Sequence, residues 1–130
     1  MTEIIALSTV KTPEITFEKQ ENTLYIVGKS YPEDLYAFWQ PIIDHVQELL
    51  EINSDNFCFD FQLSYHNSGS TRVIINFIKD AERLIAERGS NVRMKWRFDP
   101  EDEQSEEQGE DYRDLCQNVT FEMVPQETEL

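Results

Sequence analysis

A single α/β domain, with helices packed on a mixed sheet of about five strands, is the fold class this sequence predicts. Three observations carry that expectation. Residues 57–65 and 91–98 alternate apolar and polar side chains with the period of a strand that buries one face. Residues 35–50 and 73–85 instead place apolar residues at i, i+3, i+4 and i+7, the spacing of one buried helical face. Strand and helix patterns also follow one another as ββαβαβαβ, an order that suits helices laid against one sheet.

Taken in order, residues 15–19 and 23–27 form an opening hairpin, with Glu21-Asn22 supplying turn chemistry between them. Ser30-Tyr31-Pro32-Glu33 has the spacing of a capping box with an early proline, so the first long helix is expected to start there. Its buried face is Leu35, Phe38, Trp39, Ile42, Ile43, Val46, Leu49 and Leu50. Residues 57–65 are the best strand of the sequence. A second long helix follows the polar residues 67–71 through Val73, Phe77, Ala81 and Leu84, and Gly89 is placed to end it in a left-handed cap. Residues 91–98 form a strand with Arg93, Lys95 and Arg97 on its outer face. Residues 99–111 contain no apolar side chain and read as an exposed, mobile acidic loop. A short helix over 112–116, a last strand over 119–124 and a polar tail over 125–130 complete one domain spanning 1–130.

Composition narrows the function. Twenty-six acidic against eleven basic residues give a formal charge of -15, a field that repels nucleic acid phosphates and anionic membrane surfaces alike. No run approaches the roughly 18 apolar residues of a membrane span. Cys58 and Cys116 lack metal-ligand or redox-motif spacing and read as free thiols of a reducing compartment, so a cytoplasmic location is expected. The four glycines, Gly28, Gly69, Gly89 and Gly109, make no phosphate-cradling pattern, and Asp99, Glu101, Asp102 and Glu103 do not match a calcium loop. No cofactor and no metal are expected.

The segment Tyr65-His66-Asn67-Ser68-Gly69-Ser70-Thr71-Arg72 stands apart. A strong strand runs into four small polar residues and a strong helix begins at once. Ser68 or Ser70 can cap that helix. A phosphate on a hydroxyl there would also be tolerated by the unpaired N–H groups while changing what docks on the turn. The two roles are compatible. His66 beside Ser68 admits a Ser/His or metal-dependent enzyme as a competing reading, although no nucleophile elbow and no acidic third member accompany it.

Five segments in series resemble one family, the SiaC-type bacterial regulatory phosphoproteins. They are Thr12-Pro13-Glu14-Ile15, then Ile26-Val27-Gly28-Lys29-Ser30-Tyr31-Pro32-Glu33-Asp34, the Tyr65 to Arg72 turn, Met94-Lys95-Trp96-Arg97-Phe98-Asp99, and Gly109-Glu110-Asp111-Tyr112. The resemblance implies a fold similar to STAS and anti-sigma-factor-antagonist domains, and a non-catalytic switch protein. It implies phosphorylation in the turn by a serine/threonine kinase, reversal by a PP2C-type phosphatase, and binding of the unphosphorylated form to a diguanylate cyclase, raising cyclic di-GMP and promoting biofilm formation. Partner switching toward another output is the alternative it leaves.

By that resemblance Ser68 is the acceptor, with Ser70 and Thr71 as the alternative hydroxyls. The family usually has threonine at this position and a serine where Gly69 stands. Tyr65, His66, Asn67, Ser68, Gly69, Ser70 and Arg72, with Tyr31 and Glu33 nearby in the first-helix motif, are expected to meet the partner.

Overall fold

The computed structural model describes residues 1–126. Its elements are β1 (Thr2–Ala6), β2 (Glu14–Glu18), β3 (Thr23–Ser30), α1 (Leu35–Ile52), β4 (Asp55–His66), α2 (Ser68–Arg88), β5 (Asn91–Phe98), α3 (Glu103–Leu115) and β6 (Thr120–Pro125). The strands make one mixed sheet in the order β1-β2-β3-β4-β5-β6. β1, β2 and β3 pair antiparallel, whereas β3 through β6 run parallel. Each parallel crossover carries one helix and steps the same way along the sheet, so right-handed connections lay all three helices on one face.

The two strand periodicities read from the sequence hold for the helix-facing side, but Cys58 and Asp60 on the other side of β4 are buried as well, and Tyr65 near its end is half exposed. Phe57, Phe59 and Phe61 on β4 and Val92, Met94 and Trp96 on β5 are all fully buried. They meet Trp39 and Val46 of α1 and Phe77, Ala81 and Leu84 of α2 in one core. The Phe59 and Phe77 rings lie 5.2 Å apart and join sheet to helix. Gly89 takes the expected left-handed conformation at φ 66°, and its N–H donates to the Ile85 carbonyl.

Four expectations need correction. The sheet has six strands, because β1 adds an antiparallel edge that the sequence pattern hides: its residues are half-buried at most. The first helix starts later than the 30–33 motif suggests. Ser30 instead ends β3 with no exposure, and Asp34 is the N-cap, its carboxylate accepting from the Ala37 N–H at 3.0 Å. The acidic stretch 99–111 is no mobile loop. Most of it belongs to α3, capped by Asp102, whose carboxylate accepts from the Ser105 N–H, and acidic residues in a first helical turn suit the positive end of the helix dipole.

Ser105, Gly109 and Tyr112 form the buried stripe of α3, and the Trp96 Nε1–H donates to the Ser105 carbonyl at 2.9 Å. The last strand is shifted by one residue to Thr120–Pro125. Residues 127–130 of the expected tail lie outside the described residues.

Candidate functional site

The polar turn lies at the C-terminal end of β4, where an open parallel sheet exposes strand ends beside helix starts. The N-cap of α2 is Asn67, and neither Ser68 nor Ser70 fills that role. Asn67 has the extended backbone a cap requires, and its Oδ1 accepts from the Ser70 N–H at 3.0 Å. Its carbonyl accepts from the Thr71 N–H and hydroxyl, at 3.0 and 3.3 Å. With Asn67 as the cap, Ser68 takes the first helical position.

The three candidate hydroxyls therefore stand in different surroundings. Ser68 is exposed, beside the helix N–H groups that intrahelical bonding leaves free. Ser70 is 1% exposed, and its hydroxyl donates to the Ser30 carbonyl at 3.0 Å while lying 2.7 Å from the Ser30 Oγ. The Trp39 Nε1–H donates to that same Ser30 Oγ at 3.2 Å. Ser70 thus ties α2 to β3 and α1 from inside. Thr71 is half-buried, donating to the Asn67 carbonyl and accepting from the Tyr112 hydroxyl at 3.2 Å.

His66 and Ser70, both expected to meet a partner, are buried in the free protein. His66 is 5% exposed, its Nε2 lies 2.7 Å from the Tyr112 hydroxyl, and its ring meets Trp96 edge-on at 5.5 Å. Burial pushes the imidazole below its ordinary value, so it is neutral at pH 7. A neutral histidine bonded to a phenol, with no carboxylate among the described residues hydrogen-bonded to it, lacks the third member of a Ser/His hydrolase. Among the described residues no group of three or more His, Cys, Asp or Glu side chains could hold a metal ion. Burial also raises both thiols, Cys116 to about 11, so neither is a thiolate at neutral pH.

The outer rim comes from the other expected residues. Tyr65 is half exposed and packs edge-on against Tyr31, with ring centres 5.5 Å apart. Glu33 is exposed and pairs with Lys11, whose carbonyl accepts from the Tyr31 N–H. Arg72 is exposed one turn along α2 from Ser68. Gly69 lies within α2, where Leu35 of α1 fills the space a side chain would take. Tyr112 was missed as a site residue, although a lone aromatic within thirteen mostly charged and polar positions was the available signal.

Residues 6–126 match the family described as SiaC family regulatory phosphoprotein. An uncharacterized protein of Pseudomonas aeruginosa is 28% identical over 116 residues, covering 89% of this chain and 91% of that protein. The crystal structure of apo-SiaC from Pseudomonas aeruginosa superposes with a TM-score of 0.81 at 26% identity, covering 95% of this chain and 98% of that one. A chain in the crystal structure of the diguanylate cyclase SiaD in complex with its activator SiaC, from the same organism, gives a TM-score of 0.78 at 26% identity. There 89% of this chain and 95% of that chain are covered. Among the described residues no helix is long and apolar enough to cross a membrane.

Proposed function

The chain belongs to the SiaC family of regulatory phosphoproteins, and from that premise we propose that it is a non-catalytic cytoplasmic switch that binds and activates a diguanylate cyclase while Ser68 is unphosphorylated. The single observation that carries the switch is the contrast among the hydroxyls of the turn. Ser68 is exposed at the start of α2, while the Ser70 and Thr71 hydroxyls are held in hydrogen bonds. The likeness to the SiaC chain of a cyclase complex supports the choice of effector.

Phosphoryl transfer from ATP on a kinase would proceed by attack of the Ser68 Oγ on the γ-phosphorus. An O–P bond forms there, the bond to ADP breaks, and the hydroxyl proton passes to a kinase base. A PP2C-type phosphatase would return the hydroxyl by hydrolysis. The added group brings about 1.5 to 2 negative charges, which the free N–H groups of the helix start and Arg72 accommodate in the free protein. On the docked face the same charge must be desolvated or repelled, so the complex is disfavoured. Tyr65 and Tyr31 give that face an apolar rim, and with the turn they are the contact we assign to the cyclase.

The test is the affinity of the wild type, Ser68→Ala, Ser68→Asp and the Ser68-phosphorylated protein for the cyclase. Ser68→Ala should bind like the wild type. The phosphorylated protein should bind on the order of ten-fold or more weakly, a loss above about 1.4 kcal/mol. Equal affinity across the set would sink the switch.

A further inference from the structure

We propose that Tyr112 is a positioning residue for the acceptor turn, so that the presentation of Ser68 depends on how α3 is seated. This rests on the reading of Ser68 as the acceptor, but its core is geometric. The phenol is 3% exposed and stands between two residues that flank Asn67 and Ser68 in sequence, with His66 on one side and Thr71 on the other.

The protons can be followed through the cluster. The Tyr112 hydroxyl donates to the Thr71 Oγ1 at 3.2 Å, and Thr71 passes its own proton to the Asn67 carbonyl at 3.3 Å. A phenol has one proton to give. The 2.7 Å contact with His66 must then be a bond donated by the imidazole, which assigns the neutral ring to the Nε2–H tautomer. The donor chain therefore runs from His66 through Tyr112 and Thr71 to the cap residue Asn67. Its members His66, Asn67 and Thr71 bracket Ser68 in sequence.

Two further contacts explain why α3 can set the position of this phenol. Trp96 meets both rings edge-on, His66 at 5.5 Å and Tyr112 at 5.3 Å. Gly109, three residues before Tyr112, lies so close to Trp96 and Met123 that a Cβ would stand 2.4 Å from the Trp96 Cδ1. The missing side chain is what lets α3 approach the sheet closely enough for Tyr112 to reach the turn. A displacement of α3 would break both bonds of the phenol together and release Thr71, the residue held by the same carbonyl that begins α2.

Tyr112→Phe tests this, because it keeps the ring against Trp96 and removes only the hydroxyl. Imidazole nitrogen shifts of the wild type at pH 7.5 should report His66 with its proton on Nε2; a proton on Nδ1 would overturn the chain. Amide exchange at Ser70 and Thr71 should accelerate about ten-fold in Tyr112→Phe while the β4 amides stay unchanged. In a Thr71→Val background the same substitution should add little to that acceleration. An equal acceleration in both backgrounds would reduce Tyr112 to packing and overturn the proposal.

The functional arm is the rate of Ser68 phosphorylation by the kinase that modifies the wild type, expected to change at least three-fold in kcat/KM. Faster exchange with an unchanged rate would also overturn the positioning role. A wild type that no kinase modifies would instead refute the acceptor reading, leaving the exchange and tautomer results to stand or fall by themselves.

Discussion

Gly109 and Gly69 both stand where a side chain would collide, and the neighbours decide the outcome. A Cβ at Gly109 would press on Trp96, which has no exposure and cannot withdraw. Gly109→Ala should cost about 2 kcal/mol, in the range of overpacked cores, lowering Tm by roughly 4 °C per kcal/mol for a chain this long. At Gly69 the Cβ would meet the flexible end of Leu35 at 3.0 Å, and alanine improves helix propensity. Gly69→Ala should leave Tm within a few degrees of the wild type. His66 supplies a pH dependence. Burial holds its folded value below the ordinary 6.5, so keeping the ring neutral contributes its full stability above about pH 6.5. As pH falls below that point the unfolded chain takes the proton first, and stability declines until the folded value is passed. The wild type should therefore lose more Tm between pH 7.5 and 5.5 than His66→Gln; equal losses would contradict the desolvation. The turn itself was legible in the sequence because small polar residues interrupt two strong patterns. The burial of Ser70 and His66 was not, since it depends on Ser30, 40 residues away, and Tyr112, 46 residues away.

At the level of elements, the helices differ in how openly the sequence declares them. α1 and α2 bury wide apolar faces, and their periodicity alone locates them. α3 buries Ser105, Gly109 and Tyr112, two of which no hydrophobicity pattern registers, and so its acidic sequence resembles a solvated loop. The start of α1 misled for a different reason. Ser30 has the spacing of a cap, but its hydroxyl is bonded to Ser70 and to Trp39 in the interior, and Asp34 takes the helix end. Asn67 carries the corresponding duty for α2. Asn67→Ala removes the acceptor for the Ser70 N–H and should cost about 1 kcal/mol. Thermal unfolding checks the magnitude, and amide exchange should place the loss in the first turn of α2. Ser30→Ala should cost more than that cap, about 1–3 kcal/mol, because it leaves the Trp39 N–H buried without a partner. A loss equal to or below that of Asn67→Ala would mean that Trp39 finds another acceptor.

For the molecule as a whole, three helices on one face leave the other face of the sheet without a helical layer, and side chains of the strands must cover it themselves. Its centre is Asp60 on β4, only 3% exposed, with the Arg97 guanidinium of β5 in a two-pronged bond at 2.8 and 3.0 Å. Lys95 stands opposite Asp60 in the β4–β5 register and Glu122 opposite Lys95 on β6. The three cations of β5, legible in the sequence as a basic outer face, are thus partly engaged in neutralising a carboxylate that the sequence pattern assigns to solvent. A carboxylate this covered is held by its partner, and the penalty appears when the partner is removed. Arg97→Ala would leave Asp60 charged and covered, so it should cost about 3 kcal/mol at pH 7, the low end for a broken buried pair because Arg97 is 28% exposed. Asp60→Asn keeps the shape of the carboxylate but removes its charge, so the loss of Arg97 should cost less in that background. The Tm gap opened by Arg97→Ala in the wild type should therefore shrink when Asp60→Asn is already present. An equal gap in both backgrounds would mean that Arg97 acts by covering the sheet and not by pairing with Asp60.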